Sequence, residues 1–451
     1  MPMDLNELKL SLVGKIIESP DQCLKYAVDK SYLEPVLPRL VILPECDADI
    51  KAILAYANAT KQSITVRGGG SGKSGGAIPE FDGIIISFEK MNAISEVDIS
   101  NRCIAVEPGA ILDDIKRVVD AAGLWYPVDP SSSDWCTIGG NVAENSGGAN
   151  AIKYGVTRDY VLGLTGYFAS GEPFSFGGAC HKDVAGYDLK SLLIGSEGTL
   201  GIITKITLSL IPKPRLTQSF WCSFKTMSEA CQFLNVMLTS SYHLSGAEFI
   251  QPDCLQAVSA YLDQDISLLK APALLCRYDS DSDAGLEAFS KFLDETCLEC
   301  NGTSMHGHDA LYWHVRRSIS EALGDAYKNK YSEDITVPVG SVLAYLEEVP
   351  LLEHKGTRII CYGHLGDGNI HTNILNLDLD ASQWHDAKES MITEIMNLAI
   401  RLGGTLSGEH GIGLTKKAYM PLYFTNYELA IQKKIKSLFD PNNILNPSKI
   451  F

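Results

Sequence analysis

Two histidines lie seven residues apart in His364-Leu-Gly-Asp-Gly-Asn-Ile-His371, separated by a glycine turn and a short β-like run. Further along comes Ser407-Gly408-Glu409-His410-Gly411, again framed by glycines that let the backbone pose its side chains. Two imidazoles and one carboxylate are a complete ligand set for a catalytic divalent metal with open positions. A lone histidine would read better as a polar residue in a turn. Three matching ligand types in glycine-framed loops favour the metal. Upstream, Trp313-His314-Val315-Arg316-Arg317-Ser318-Ile319-Ser320 opens a helical segment. Arg316 and Ser320 share one face of it at i and i+4, while Arg317 fits a solvated helix charge. His306, His308 and His314 have no metal-site spacing and read as structural or surface residues. Cys297 and Cys300 form a CxxC without a second pair, so two thiols one turn apart on a helix are expected.

These residues need a scaffold, and the N-terminal half shows one. Residues 41–66 read as strand, helix and strand: an apolar VIL, then Ile50, Ile53, Leu54 and Ala57 at helical spacing after a candidate N-cap Asp47, then SITV. The last strand enters RGGGSGKSGG, Arg67 to Gly76. Gly70, Gly72 and Gly75 satisfy a dinucleotide fingerprint, and Gly72-Lys73-Ser74 resembles the end of a phosphate loop. Both motifs require a helix next. Here Gly76-Ala77-Ile78-Pro79 and another apolar run, GIIISF, follow, so the order is strand, glycine loop, strand. Consecutive backbone N–H groups can still form an anion nest without a helix. Further glycine clusters occupy Pro130–Gly148 and Gly195–Gly201. Together the three suggest a long ligand whose pyrophosphate lies across several loops. The β-like run 202–211 ends at Pro212 and Pro214, where a domain boundary is expected.

The 451 residues allow two or three domains, and 45% apolar with 21% charged residues is the balance of a folded globular protein. A net charge of −17 repels phosphate backbones and argues against nucleic-acid binding. No run approaches the roughly 20 apolar residues of a membrane-spanning helix, and no signal peptide is expected from MPMDLNELKL. Twelve cysteines without a framework of spacings read as reduced thiols of a cytoplasmic protein.

The stretches RGGGSGKSGG, PSSSDWCTIGGNVAENSGGANAIKYGVTRDYVLGL and KDVAGYDLKSLLIGSEGTLGIITKITLSLIPKP resemble the FAD-binding (PCMH-type) domain of the vanillyl-alcohol-oxidase flavoprotein superfamily. More closely, the chain is similar to the branch of D-lactate dehydrogenases, D-2-hydroxyglutarate dehydrogenases and glycolate oxidase flavin subunits, from about residue 30 onward. The resemblance implies an α+β protein. A two-subdomain FAD module at 36–214 would follow an N-terminal segment 1–35. An α/β cap domain at 215–440 would carry the metal and substrate site, and a tail 441–451 would return to the flavin. Arg67, Gly68, Gly69, Gly70, Ser71 and Gly72 would hold the FAD pyrophosphate. Pro130, Ser131, Thr137, Gly140, Asn141, Asn145, Gly147 and Gly148 would run along the cofactor. Glu197, Gly198, Gly201 and Ile202 would surround its adenosine half, and Asn446 would sit next to the ring. With no His in the first loop, and a Cys136 that this branch often carries without a flavin bond, the FAD is expected to be non-covalent.

The same resemblance assigns His364, His371 and Glu409 as metal ligands, with Zn²⁺ first and Mn²⁺ or Fe²⁺ as alternatives. It assigns Arg316 to the substrate carboxylate and Asn373 to a substrate-contacting position; Ser320, on the Arg316 face, and Lys330 join them as candidate substrate residues. Oxidising a 2-hydroxy acid removes a hydroxyl proton and a hydride, and a cation on the hydroxyl eases the first. His410, beside a ligand, is placed as general base. Relatives acting on 2-hydroxyglutarate tend to have Lys two residues before the Asp of YSEDITVP; here Ser332 stands there, with Lys330 nearby. That moves the expectation toward D-lactate or a similar short acid, with D-2-hydroxyglutarate and a glycolate oxidase complex as alternatives. A non-catalytic flavin subunit is the remoter reading. A quinone, cytochrome or electron-transfer flavoprotein would take the electrons; a homodimer and a peripheral membrane location stay open.

Overall fold

A computed structural model of the chain describes residues 4–451. The chain divides into two compact units. The first runs to Gly147 and adds Val156–Lys213 and Glu409–Phe451; the second comprises Gly148–Gly155 and Pro214–Gly408. Residues 409–440, assigned by sequence to the cap, thus group with the first unit, and 148–155 with the second.

In the first unit, Leu40–Leu43 and Ile64–Arg67 flank Ile84–Ser87 in parallel, and Lys15–Ile17 adds antiparallel to Leu40–Leu43. Every residue of Leu40–Leu43 and Ile84–Ser87 is buried, as parallel strands covered on both faces must be. Helix Asp47–Thr60 makes the crossover, burying Ile50, Ile53, Leu54 and Ala57. Its N-cap is Cys46, so Asp47 occupies the first turn, where its charge suits the helix dipole. A second, antiparallel sheet takes the order Cys103–Val106, Ile202–Ser209, Val161–Tyr167, Pro173–Gly177. The tail returns to the first sheet: Ile64 N donates to Ile444 O at 2.6 Å and Asn446 N to Ile64 O at 2.7 Å.

The second unit is built on a seven-stranded antiparallel sheet. Its order is Thr303–His306, Leu216–Ser223, Ala273–Ser280, Leu244–Ile250, Thr357–His364, Asn369–Asn376, Lys330–Thr336. Helices Pro252–Tyr261 and Asp309–Ala326 cover one face. Val258, Tyr312, Val315, Ile319 and Leu323 pack there on Trp221, Leu275 and Ile360. The helical spacing of that apolar stripe sets Arg316 and Ser320 at its border. Among the described residues, no helix is long and apolar enough to cross a membrane.

Candidate active site

The His364–His371 segment is a β-hairpin. Thr357–His364 pairs with Asn369–Asn376, placing Tyr362 opposite His371 and His364 opposite Asn369. The two imidazoles face each other at 5.3 Å between ring centroids, nearly perpendicular. His364 Nδ1 lies 2.7 Å from Glu248 Oε1. Donating that proton to a carboxylate puts the lone pair on Nε2, the tautomer a metal ligand needs. His371 is buried, with Nδ1 3.8 Å from Asp334 Oδ1. The donor chemistry therefore fits a divalent cation.

Glu248 was not foreseen from sequence. It is 1% exposed on strand Leu244–Ile250, directly across from His364. Its other oxygen accepts from Arg316 Nε at 2.7 Å and Nη2 at 2.6 Å. Burial pushes its pKa upward, but His364 and Arg316 outweigh that and hold it below the usual carboxylate value. The one available signal was a single charge in the otherwise uncharged LSGAEFI. Asp334 was missed as well. It is fully buried and accepts from Asn369 Nδ2 (2.7 Å), Ser407 Oγ (3.1 Å) and Gly408 N (2.9 Å), fixing the chain up to the residue before Glu409.

The structure brings the remaining candidate substrate residues of the second unit into one neighbourhood. The Arg316 guanidinium stacks 5.0 Å from the Tyr362 ring centre, whose ring meets His371 at 5.3 Å. Lys330 Nζ donates to the Ser320 carbonyl (2.5 Å) and hydroxyl (3.0 Å), one helical turn beyond Arg316. Asn373 is fully buried; its amide donates to the Ile360 and His371 carbonyls, while Oδ1 has no hydrogen-bond partner. Arg317, His306, His308 and His314 are exposed, and Cys297 and Cys300 are buried thiols.

Glu409 and His410 begin the returning segment of the first unit. Their closest polar atoms are 4.0 Å apart, and Glu409 lies over Gly147, where a Cβ would come 3.2 Å from its carboxylate. The buried Glu197 clamps the chain that follows, accepting from Ile412 N and Gly413 N at 2.7 Å each. Burial raises its pKa against those two hydrogen bonds. The Asn446 side chain accepts from Val66 N at 3.1 Å and donates to the Glu197 carbonyl at 2.6 Å. It therefore ties together three segments far apart in sequence. Lys449, also unforeseen, is buried with its pKa lowered to about 7 by burial, against the pull of Glu197.

The glycine loops meet as a stack of turns. A Cβ on Gly68 would fall 2.3 Å from Thr137 Oγ1, and one on Gly69 2.5 Å from the Trp135 carbonyl, so only glycine allows this approach. Gly70 has φ +77°, and Ser71 and Gly72 complete the loop. Arg67 is buried with Nη1 on the Val28 carbonyl at 2.7 Å, so its side chain braces the loop from behind. Pro130 and Ser131 form the turn that opens the second block. Thr137 caps helix Ile138–Glu144, which carries Gly140 and Asn141, and Asn145 ends it in the left-handed conformation. Gly148 begins the short segment assigned to the second unit. Gly198 has φ +67°, Gly201 packs beside Phe174, and Ile202 is a core residue. Asn141 Nδ2 is buried without a hydrogen-bond partner, an orphan donor of the kind a polar cofactor would satisfy.

Residues 213–450 match the family described as FAD linked oxidases, C-terminal domain, and residues 38–177 match the FAD binding domain. The glycolate oxidase subunit GlcD of Bacillus subtilis is 34% identical, the match covering 95% of this chain and 92% of that one. D-2-hydroxyglutarate dehydrogenase of Xanthomonas citri pv. viticola is 32% identical and D-lactate dehydrogenase of Anaerostipes hadrus 31%, each over 92% of this chain and 89% of theirs. Among solved structures, p-cresol methylhydroxylase superposes with a TM-score of 0.79 at 16% identity, covering 96% of this chain and 93% of that one, a likeness of fold. The chain belongs to the FAD-linked oxidase family. It is an FAD-linked oxidoreductase of the branch that holds these glycolate, D-2-hydroxyglutarate and D-lactate enzymes.

Proposed function

We propose that this protein oxidises a D-2-hydroxy acid, D-lactate or a similar short acid, to the 2-oxo acid and passes the electrons to a non-nicotinamide acceptor. The observation that carries the reading is the facing His364–His371 pair with His364 Nδ1 on a buried carboxylate. His364, His371 and Glu409 would hold a divalent cation, zinc first with Mn²⁺ or Fe²⁺ as alternatives, and the three glycine blocks with Asn446 would hold FAD. When bound, the cation lowers the pKa of the substrate hydroxyl and the flavin accepts the hydride. The chain does the rest. Arg316 orients the carboxylate, Asn373 offers a buried acceptor, and His410 takes the hydroxyl proton. A quinone, cytochrome or electron-transfer flavoprotein suits the next transfer. The Lys330 ammonium one turn beyond Arg316 favours D-2-hydroxyglutarate as the second reading, since it could meet a distal carboxylate. A panel of D- and L-2-hydroxy acids with a dye acceptor, with and without chelator, tests both. Indifference to chelator or to the D-configuration counts against the assignment.

Two expectations follow for the cofactor and the carboxylate. The protein releases intact FAD on acid precipitation. Cys136 is 2% exposed and its thiol is pushed up to about 11 by burial, so it supplies little thiolate to attack a flavin. Flavin remaining on the polypeptide would refute the non-covalent assignment. Arg316→Ala raises KM and lowers kcat/KM about ten- to a hundredfold, the loss of one charge-assisted contact, with FAD content unchanged. Wild-type kinetics in that variant would place the carboxylate site elsewhere.

A further inference from the structure

Glu248 divides its carboxylate between two partners with different proposed tasks. Oε1 takes His364 Nδ1 at 2.7 Å, and Oε2 takes both Nε and Nη2 of Arg316 at 2.7 and 2.6 Å. The carboxylate is 1% exposed, so its two oxygens depend on these partners rather than on water. The geometry is closed on its far side too. Arg316 stacks on Tyr362, and Tyr362 meets His371, the second imidazole of the pair. One edge of the guanidinium is thus committed before any ligand arrives, and the side chain's rotamer freedom is already lost. A metal-binding imidazole is likewise fixed in tautomer and orientation by the acceptor on its other nitrogen.

We propose that Glu248 is a positioning residue that couples cation binding to hydroxy-acid binding. One carboxylate sets both the ligating nitrogen of His364 and the guanidinium that receives the substrate carboxylate. This rests on the roles proposed above for His364 and Arg316. Glu248→Gln offers one acceptor oxygen where two are used, and its amide must turn a donor toward either Arg316 or His364.

The test compares wild type, Glu248→Gln and Glu248→Asp as FAD-loaded proteins. Zn²⁺ affinity is measured by chelator competition without substrate, and KM and kcat with D-lactate and a dye acceptor. In Glu248→Gln, Zn²⁺ affinity falls about 10- to 100-fold and KM rises about tenfold, while the FAD stoichiometry stays at the wild-type value. Glu248→Asp recovers part of both. Wild-type affinity and KM in Glu248→Gln overturn the proposal, and so does loss of Zn²⁺ affinity with KM unmoved. If Glu248→Gln folds poorly because Arg316 is left beside an amide, Glu248→Leu combined with Arg316→Met removes both charges and leaves His364 Nδ1 without its acceptor. Its Zn²⁺ affinity must still fall, and wild-type affinity there overturns the proposal equally. Wild-type protein that binds no Zn²⁺ and oxidises no D-2-hydroxy acid overturns the functional reading itself, and the coupling with it. Wild-type protein that does both while the variants match it overturns the coupling alone.

Discussion

His410→Ala is expected to keep its FAD and its divalent ion yet reduce the flavin about 100- to 10,000-fold more slowly with D-2-hydroxy acids, the range lost with a general base. The imidazole is 13% exposed and sits in a segment whose next residues are locked by the Glu197 carboxylate. Alanine therefore removes a proton acceptor without loosening its surroundings. The residual rate should rise with pH, because hydroxide takes over proton removal. Stopped-flow flavin reduction across pH, with elemental analysis of the same sample, reads both quantities. A variant that loses its metal would make His410 a ligand.

Glu409→Gln is expected to fail in the opposite way. A neutral amide is a poor replacement for a carboxylate in a three-ligand set, so the isolated variant should lack metal and most of its activity, with FAD retained. Excess divalent ion should restore part of the rate, which it cannot do for His410→Ala. The carboxylate lies close to Gly147, and Gln, with the same shape as Glu, can take the same place without disturbing the fold. Metal retained in Glu409→Gln and lost in His410→Ala would invert the two roles. Unchanged flavin reduction in both would move the chemistry away from this dipeptide altogether.

Much of the scaffold was readable in the linear chain because its signals are local. Ile50, Ile53, Leu54 and Ala57 announce a helix by spacing alone, and all four are buried on it. The absence of helix-forming residues after Gly76 ruled out a helix-borne phosphate site, and the next regular element is indeed strand Ile84–Ser87. The glycine turn and β-run between His364 and His371 were visible for the same reason, lying within eight residues; that they close a hairpin came from the strand pairing. Motif order across three glycine blocks then pointed to the flavoprotein branch, to which the chain belongs.

The partners of those residues were not readable. Glu248 meets His364 across 116 residues and Arg316 across 68, and Asp334 meets Gly408 across 74. No spacing rule reaches that far. Two antiparallel strands become neighbours through sheet order, and the register of that pairing then decides which side chains face each other. Residues 409–440 read as a continuation of the cap because no composition change marks a crossing. They group with the first unit because Glu197 and Ser74 hold the backbone at Ile412, Gly413 and Leu414. Residue types and local periodicity thus determined which chemistry the chain can carry. Long-range strand pairing and buried carboxylates decided how its histidines and arginine are held, because a buried charge takes its role from the groups that replace its water.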